Sequence, residues 1–393
     1  MKRRLLFTGL GLLLSAVAYT QPRIYVNEYL NIGVGGRGLA MGGAQVASSA
    51  DANSGYWNPA GLTNIQEDLQ VGLMHAEYFA GNAKYDFASV AMPTKDKKRA
   101  FGVSFLRFAT DDIPYTIDYI QPDGSFDESK LKSISAGDYA FLLSYAQQLK
   151  LFRNPEIRTS IGANAKIVYR NIGSMANAWG GGVDVGFQAR YRRLLLGISV
   201  KDATTTYTTW SFNLTEREKE VFGQTGNEIP VKSYEVMNPR FNIGAGYNFM
   251  KPASKIQLLA ELNADLTTDG MRNTLIRSKS LSIDPRAGLE LSYKNTVFLR
   301  AGVSNIQKVL DDKDSLNKKT FTIFQPSIGV GLKLGPIVAD YAYTSLQTQS
   351  NPLFSHIVSL RFDIKSLSKS RKEETDKAGQ TASPGQTTSP VQQ

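Results

Sequence analysis

From about residue 69 to residue 364 the chain alternates apolar and polar side chains with a period of two, and it does so in unusually long runs. Phe241, Ile243, Ala245 and Tyr247 alternate with Asn242, Gly244, Gly246 and Asn248. Ile256, Leu258, Ala260, Leu262 and Ala264 alternate with Gln257, Leu259, Glu261, Asn263 and Asp265. Val358, Leu360, Phe362 and Ile364 close the series against Ile357, Ser359, Arg361 and Asp363. Alternation alone also fits a soluble sandwich, so length and connection pattern carry the decision. The runs extend over about 9 to 12 residues, which is what a tilted strand needs to cross a bilayer, whereas the mean strand of a soluble protein is about half as long.

Fourteen segments qualify: 69–80, 84–94, 99–109, 137–148, 157–170, 179–190, 194–202, 238–249, 255–267, 284–293, 296–304, 323–334, 337–346 and 354–364. An even number suits a bacterial barrel, and so do connections that alternate in length. Short turns fall near 95–98, 149–156, 191–193, 250–254, 294–295 and 335–336; long loops fall at 110–136, 171–178, 203–237, 268–283 and 305–322, with a shorter one at 347–353. The fold class expected is all-β: a transmembrane antiparallel barrel of about fourteen strands, with short turns periplasmic and long loops extracellular.

Composition agrees. After the N-terminus no run of about 18 apolar residues would make a spanning helix. The polar phase of the strands carries Asp184, Glu261, Asp265, Glu290, Arg300, Lys333, Asp340 and Arg361, a set suited to a lumen. Many of the 34 glycines sit inside the strands, where an inward Gly leaves room in a barrel. The chain has no cysteine, which removes disulfides, thiolate metal sites and cysteine nucleophiles. The net charge of +10 is spread over turns and tail without a basic stripe, so no nucleic-acid partner is expected.

Residues 1–20 read as a signal peptide: Lys2, Arg3 and Arg4, an apolar stretch from Leu5 to Ala18, and cleavage after Ala18 or after Thr20. Residues 21–66 form a separate N-terminal segment, 67–365 the barrel, and 366–393 a Ser/Thr/Gln/Lys/Pro-rich tail whose composition is that of a disordered periplasmic extension.

The N-terminal segment is the least strand-like part. Small residues dominate it, and Gly33-Val34-Gly35-Gly36-Arg37-Gly38 loosely evokes a phosphate loop but lacks the Lys-Ser/Thr and the strand–helix context that such a loop needs. A loose periplasmic arm is one reading; the favoured one is a hatch inside the lumen. Met41-Gly42-Gly43, Asp51-Ala52 and Trp57-Asn58-Pro59-Ala60-Gly61 then make a pattern of about 30 residues. This pattern resembles the N-terminal signature of the PorV/PorQ family of outer-membrane barrels, itself similar to the FadL fatty-acid transporters. Gly61 after Asn58-Pro59-Ala60 follows the general family pattern and fits a paralogue. The resemblance implies one of two functions. PorV-type members belong to the type IX secretion machinery of Bacteroidetes and receive secreted proteins. FadL-type members pass hydrophobic molecules through a lateral opening.

No catalytic constellation stands out. Gly-x-Ser-x-Gly is absent, and the two histidines, His75 and His356, lie far apart near strand ends, in interfacial or lumenal positions. Asp111 and Asp112, and Asp311, Asp312 and Asp314, are read as solvated acidic loops rather than calcium sites. No enzyme activity, cofactor or metal is expected. The long loops carry Tyr115, Tyr119, Phe126, Tyr207, Trp210, Phe212 and Phe222, which suit either a protein-docking surface or a lid over the mouth. The expected function is a non-enzymatic type IX secretion component in the outer membrane that binds secreted cargo or translocon proteins through these loops. The alternative is a FadL-like channel for long-chain fatty acids or other hydrophobic small molecules.

Overall fold

A computed structural model describes residues 26–79, 81–119, 121, 125–310, 320–346 and 353–365. The signal-peptide segment, the C-terminal tail from 366 and the Asp311–Asp314 run lie outside the described residues.

The strands are β1 (Leu69–Tyr78), β2 (Ala83–Pro93), β3 (Arg99–Tyr115), β4 (Lys132–Leu149), β5 (Ile157–Ile172), β6 (Ala176–Tyr191), β7 (Leu194–Lys201), β8 (Thr206–Phe212), β9 (Ser233–Met237), β10 (Arg240–Asn248), β11 (Ile256–Thr267), β12 (Ile276–Arg277), β13 (Ser282–Tyr293), β14 (Val297–Leu310), β15 (Thr320–Leu334), β16 (Ile337–Leu346) and β17 (Leu353–Ile364). Fourteen of them pair antiparallel with their neighbours, and β1 pairs with β17 from Leu69↔Ile364 to Glu77↔His356, so the wall closes on itself. Closure leaves no sheet edge within the apolar layer, where an unpaired backbone group would be costly.

All fourteen expected segments become wall strands. The long loops are more ordered than their composition suggested. β3 and β4 run on above the membrane to Tyr115↔Lys132. The stretch 203–237 is not a free loop: β8 continues β7 along β6, and β9 pairs with β8 and leads into β10. The wall bends where β7 gives way to β8. There Asp202 and Thr205 adopt left-handed backbone angles (φ 54° and 63°), and the buried Lys166 ammonium binds Asp184 at 3.0 Å and also Asp202. The bend is held by this compensated buried charge cluster together with a backbone bond from the Ala203 amide to Val183 O at 2.7 Å.

The two faces of the wall obey opposite solvents. Outward positions such as Leu73, Phe101, Val103, Leu143, Ile198, Leu262, Leu299 and Val330 are apolar and exposed to the bilayer. Outward aromatics Tyr139, Tyr169 and Trp179 form a row, with ring centroids 5.9 and 4.6 Å apart, at the long-loop end. Such rows mark the membrane interface. His75 and His356 also face outward near this end, beside Asp86 (2.7 Å) and Tyr341 (2.7 Å), so neither is lumenal. Asp111 belongs to β3 and pairs with Lys84 at 3.0 Å.

Above the mouth, a helix at Glu216–Gln224 begins with a capping box: Thr215 Oγ1 accepts from the Glu218 amide, and the Glu218 carboxylate accepts from the Thr215 amide and from Tyr115 Oη at 2.7 Å. Burial alone would raise the Glu218 carboxyl, but the hydrogen bonds from Tyr115 and Thr215 outweigh it and hold the group below its ordinary value. A depressed folded-state value means the stabilisation is complete above the unfolded carboxyl range and is lost as pH falls through the folded one. Hydrogen exchange of residues 216–224, corrected for intrinsic rates, is expected to show more frequent opening at pH 3 than at pH 6, and Glu218→Gln is expected to flatten the difference. Equal protection at both pH values in the wild-type protein would contradict this.

Candidate functional site

Residues 26–65 pack inside the wall as short turns: a 3-10 turn at Glu28–Asn31, helical turns at Gly36–Ala40 and Ser54–Trp57, and a 3-10 turn at Pro59–Asn64. None is long enough to be stable alone, so their conformation is imposed by contact with the wall. Val34, Ala40, Met41, Ala44, Asn58, Ala60 and Leu62 are fully buried.

Each residue of the sequence signature has a structural task in this packing. Met41 lies against Gly288 and Gly302, and its Sδ accepts from Gln45 at 3.1 Å. Gly42 (φ 64°) runs along the backbone of Val303, and Gly43 (φ 78°) closes the turn by donating to Gly38 O. Asp51 accepts from the Asn53 amide at 3.0 Å and pairs with Arg361 at 3.4 Å. The Trp57 indole donates to Val34 O at 3.0 Å, and its ring covers Gly33 and Gly38. The Asn58 amide donates to Val46 O at 2.8 Å and to the wall carbonyls Phe187 O and Ile198 O at 3.1 and 3.3 Å, while its Oδ1 caps the next turn at Ala60. Pro59 and Ala60 fit into Gly162, and Gly61 abuts Ser49. These residues seat the segment; none presents a reactive group.

Charge fastens the segment on the opposite side. Arg37 donates to Glu290 at 2.8 Å, Glu290 also accepts from Arg300 at 2.7 Å, and Arg300 reaches Asp340 at 2.6 Å. Glu261 accepts from the Ala47 and Ser48 amides at 2.8 and 3.1 Å. Glu261, Glu290, Arg300, Asp340 and Arg361 were legible as lumenal from the strand phase; their pairing with Arg37, Asp51 and the segment's backbone was not.

Above the segment lies a vestibule of about 800 Å³ that opens toward the long-loop end. Its two sides differ chemically. On the β1–β5 side it is lined by Tyr29, Ile32, Tyr78 and Phe108, with the Asp138–Arg170 ion pair beside them and Leu39 on the floor. On the β10–β16 side it is lined by Arg240, Asp265, Arg286, Asn305, Gln325 and Thr344 among other polar groups. The wall beside it is split. β13 and β14 pair only from Ala287↔Val303 to Tyr293↔Val297; higher up, β12 takes the place beside β13 and the top of β14 pairs with β15 alone. A hydrogen bond of 3.1 Å from Asn273 to Gln307 spans this cleft, and both residues line the vestibule. Pro285, on the β13 side, has no amide hydrogen with which to close the ladder.

The aromatic loop residues are not brought together as one surface. Trp210 is a correction: it faces inward and is buried with Ala176, Ala178 and Phe212, under the Arg170 guanidinium 5.1 Å away. Alternation along β8 decides this, since Tyr207 points out and Trp210 in. Tyr115 is tied to Glu218. Phe222 is half-buried on the helix; Tyr119 stacks on Phe126, which stays exposed, as do Tyr207 and Tyr234. Among the described residues no group of three or more His, Cys, Asp or Glu could hold a metal ion.

No family model matches the chain, and no curated protein is similar to it in sequence. Solved structures do match. The CymD monoaromatic hydrocarbon channel is 14% identical, with 85% of this chain and 98% of that chain covered at a TM-score of 0.53. The Ralstonia pickettii toluene transporter TbuX is 12% identical, with coverage of 84% and 98% and a TM-score of 0.50. A TodX monoaromatic hydrocarbon channel mutant is 13% identical, with coverage of 84% and 99% and a TM-score of 0.50. The fold is that of these channel barrels. At such identities the likeness concerns architecture, and what this barrel carries has to be argued from its own lumen.

Proposed function

We propose that this protein is a non-enzymatic outer-membrane channel that admits hydrophobic small molecules, the reading first held as the alternative. The vestibule carries it: an outward-opening chamber with an apolar side, floored by the packed N-terminal segment and flanked by a cleft between β13 and β14. A molecule entering from outside meets Tyr29, Leu39, Tyr78 and Phe108 and has a lateral way out that avoids the plugged floor. The fold shared with a monoaromatic hydrocarbon channel and a toluene transporter supports the same reading. Cells expressing the protein are expected to accumulate labelled long-chain fatty acid or toluene faster than cells lacking it. Absence of both uptake and bound ligand in the purified barrel would end the proposal.

A role in type IX secretion remains the second reading. Its support is the signature from Met41 to Gly61 together with the exposed Phe126, Val231 and Tyr234 above the mouth. Trp210 and Tyr115 do not add to that surface, being committed to contacts within the chain. Deleting the gene and following cargo at the cell surface tests it: normal export would remove this reading and leave the uptake proposal untouched.

A further inference from the structure

The vestibule is poorly matched to a bare hydrocarbon. Ligand chambers are usually apolar with a few placed polar groups, whereas here the β10–β16 side is charged and hydrogen-bonding. Arg240 is the cation of this side with the fewest close partners among the described residues. It is 7% exposed, yet among the described residues its guanidinium makes no hydrogen bond, and its single ion pair, to Glu28, is long at 3.8 Å. It lines the chamber. Its cross-strand neighbour Lys201 adds positive charge without an ion pair among the described residues, its ammonium lying 4.0 Å from the Tyr56 ring. The Arg240 guanidinium opens onto the chamber with Glu28 at 3.8 Å and no closer acceptor among the described residues, so its hydrogen-bond donors are free for a group presented there. An anionic group in the chamber would take up these donors as a charge-assisted pair.

Two further features specify the rest of the ligand. The amides of Asn273, Asn305, Gln307 and Gln325 line one side, and some of their polar atoms, such as Gln325 Oε1, have no partner among the described residues. The facing side presents Tyr29, Leu39, Tyr78 and Phe108. Hydroxyls on one face, hydrocarbon on the other and an anion at one end describe a facial amphiphile.

We infer that the vestibule selects a facially amphipathic anion, of the class of polyhydroxylated sterol carboxylates, with its carboxylate on Arg240, its hydroxyl face on the amides and its apolar face on the aromatic side. The inference rests on the uptake reading and names its ligand class. A linear fatty acid would leave the amides facing hydrocarbon, and toluene would leave the donors of Arg240 unused as well.

The test is equilibrium binding to the full-length barrel in lipid nanodiscs, with labelled cholate below its micellar concentration, and with palmitate and toluene as comparators. Cholate is expected to bind most tightly. Arg240→Gln is expected to weaken cholate at least about tenfold, the loss of one charged hydrogen bond, while Arg240→Lys keeps most of the affinity. Raising salt is expected to weaken cholate binding to the unmodified protein, a measurement that needs no variant to fold. Heat-modifiable gel mobility verifies that the variants are closed barrels. Tighter palmitate than cholate, no cholate binding, or cholate affinity indifferent to both Arg240→Gln and salt overturns the inference. Palmitate or toluene uptake without cholate binding would remove this ligand class and leave the channel; cholate binding without uptake of any labelled molecule would do the reverse.

Discussion

Glu290→Ala is expected to unseat the N-terminal segment while leaving the barrel wall closed. Glu290 stands between Arg37 on the segment and Arg300 on β14, accepting from both at 2.8 and 2.7 Å. The Arg300 side chain is 2% exposed and retains only Asp340 once the carboxylate is gone. Two guanidinium groups then face each other across the vacated position, and removing one member of a buried ion cluster costs about 3–5 kcal/mol. Most of that cost falls on segment docking, because the ladder from Glu290 to Arg300 is backbone pairing and survives. The chain contains no cysteine, so a single Ala44→Cys reports directly: Ala44 is fully buried in the segment. Maleimide labelling of that thiol is expected to be slow in the parent and fast with Glu290→Ala, with channel conductance in planar bilayers rising in parallel. Glu290→Gln keeps two acceptor–donor contacts and is expected to fall between. Unchanged labelling and conductance would show that the charge chain does not hold the segment.

Gly302→Val is expected to produce the same opening by steric rather than electrostatic means. A Cβ at Gly302 would lie 2.2 Å from the Gly42 amide nitrogen and from the Met41 carbonyl carbon. Both are backbone atoms, so no side-chain rotation relieves the clash, and Gly42 is itself pinned at φ 64° against Val303. The overlap exceeds the usual overpacking of about 1–3 kcal/mol, and the least costly response is for the segment to lift away. Rapid labelling of Ala44→Cys with retained heat-modifiable mobility is the expected pair of results. Gly223→Ala, whose Cβ would meet nothing within 4 Å, is the control and should behave as the parent. Slow labelling in Gly302→Val would mean that the wall, not the segment, yields.

These two positions also show how far a sequence reading reaches. Glu290 was visible as a lumenal residue, because a period of two assigns every second residue to one face once the wall is known; Gly302 was not singled out, and its contact with Gly42 is a product of the fold. The same rule placed the fourteen strands. It lost β8 and β9, since Thr206, Thr208 and Thr209 are polar on both faces above the membrane and the apolar signal fades where lipid no longer demands it. The loop aromatics were read by exposure of their segment, and Trp210 turned inward because the bend at 202–205 shifts the phase and β8 takes its facing from β6, where Ala178 opposite it is buried.

What the sequence by itself determined is the wall: length of run, phase and an even count of strands follow from the bilayer, which acts on each strand separately and so leaves its mark locally. It also marked Met41 to Gly61 as special, through small residues that admit no ordinary strand or helix. What only the tertiary structure decided is which residues meet across the lumen: Arg37 with Glu290, Asp51 with Arg361, Gly42 with Gly302, and Arg240 with Glu28. Those partners are separated by hundreds of residues, and closing the barrel is what brings them to contact distance. The chemistry of the vestibule, and with it the ligand, is therefore written in the closure rather than in any single strand.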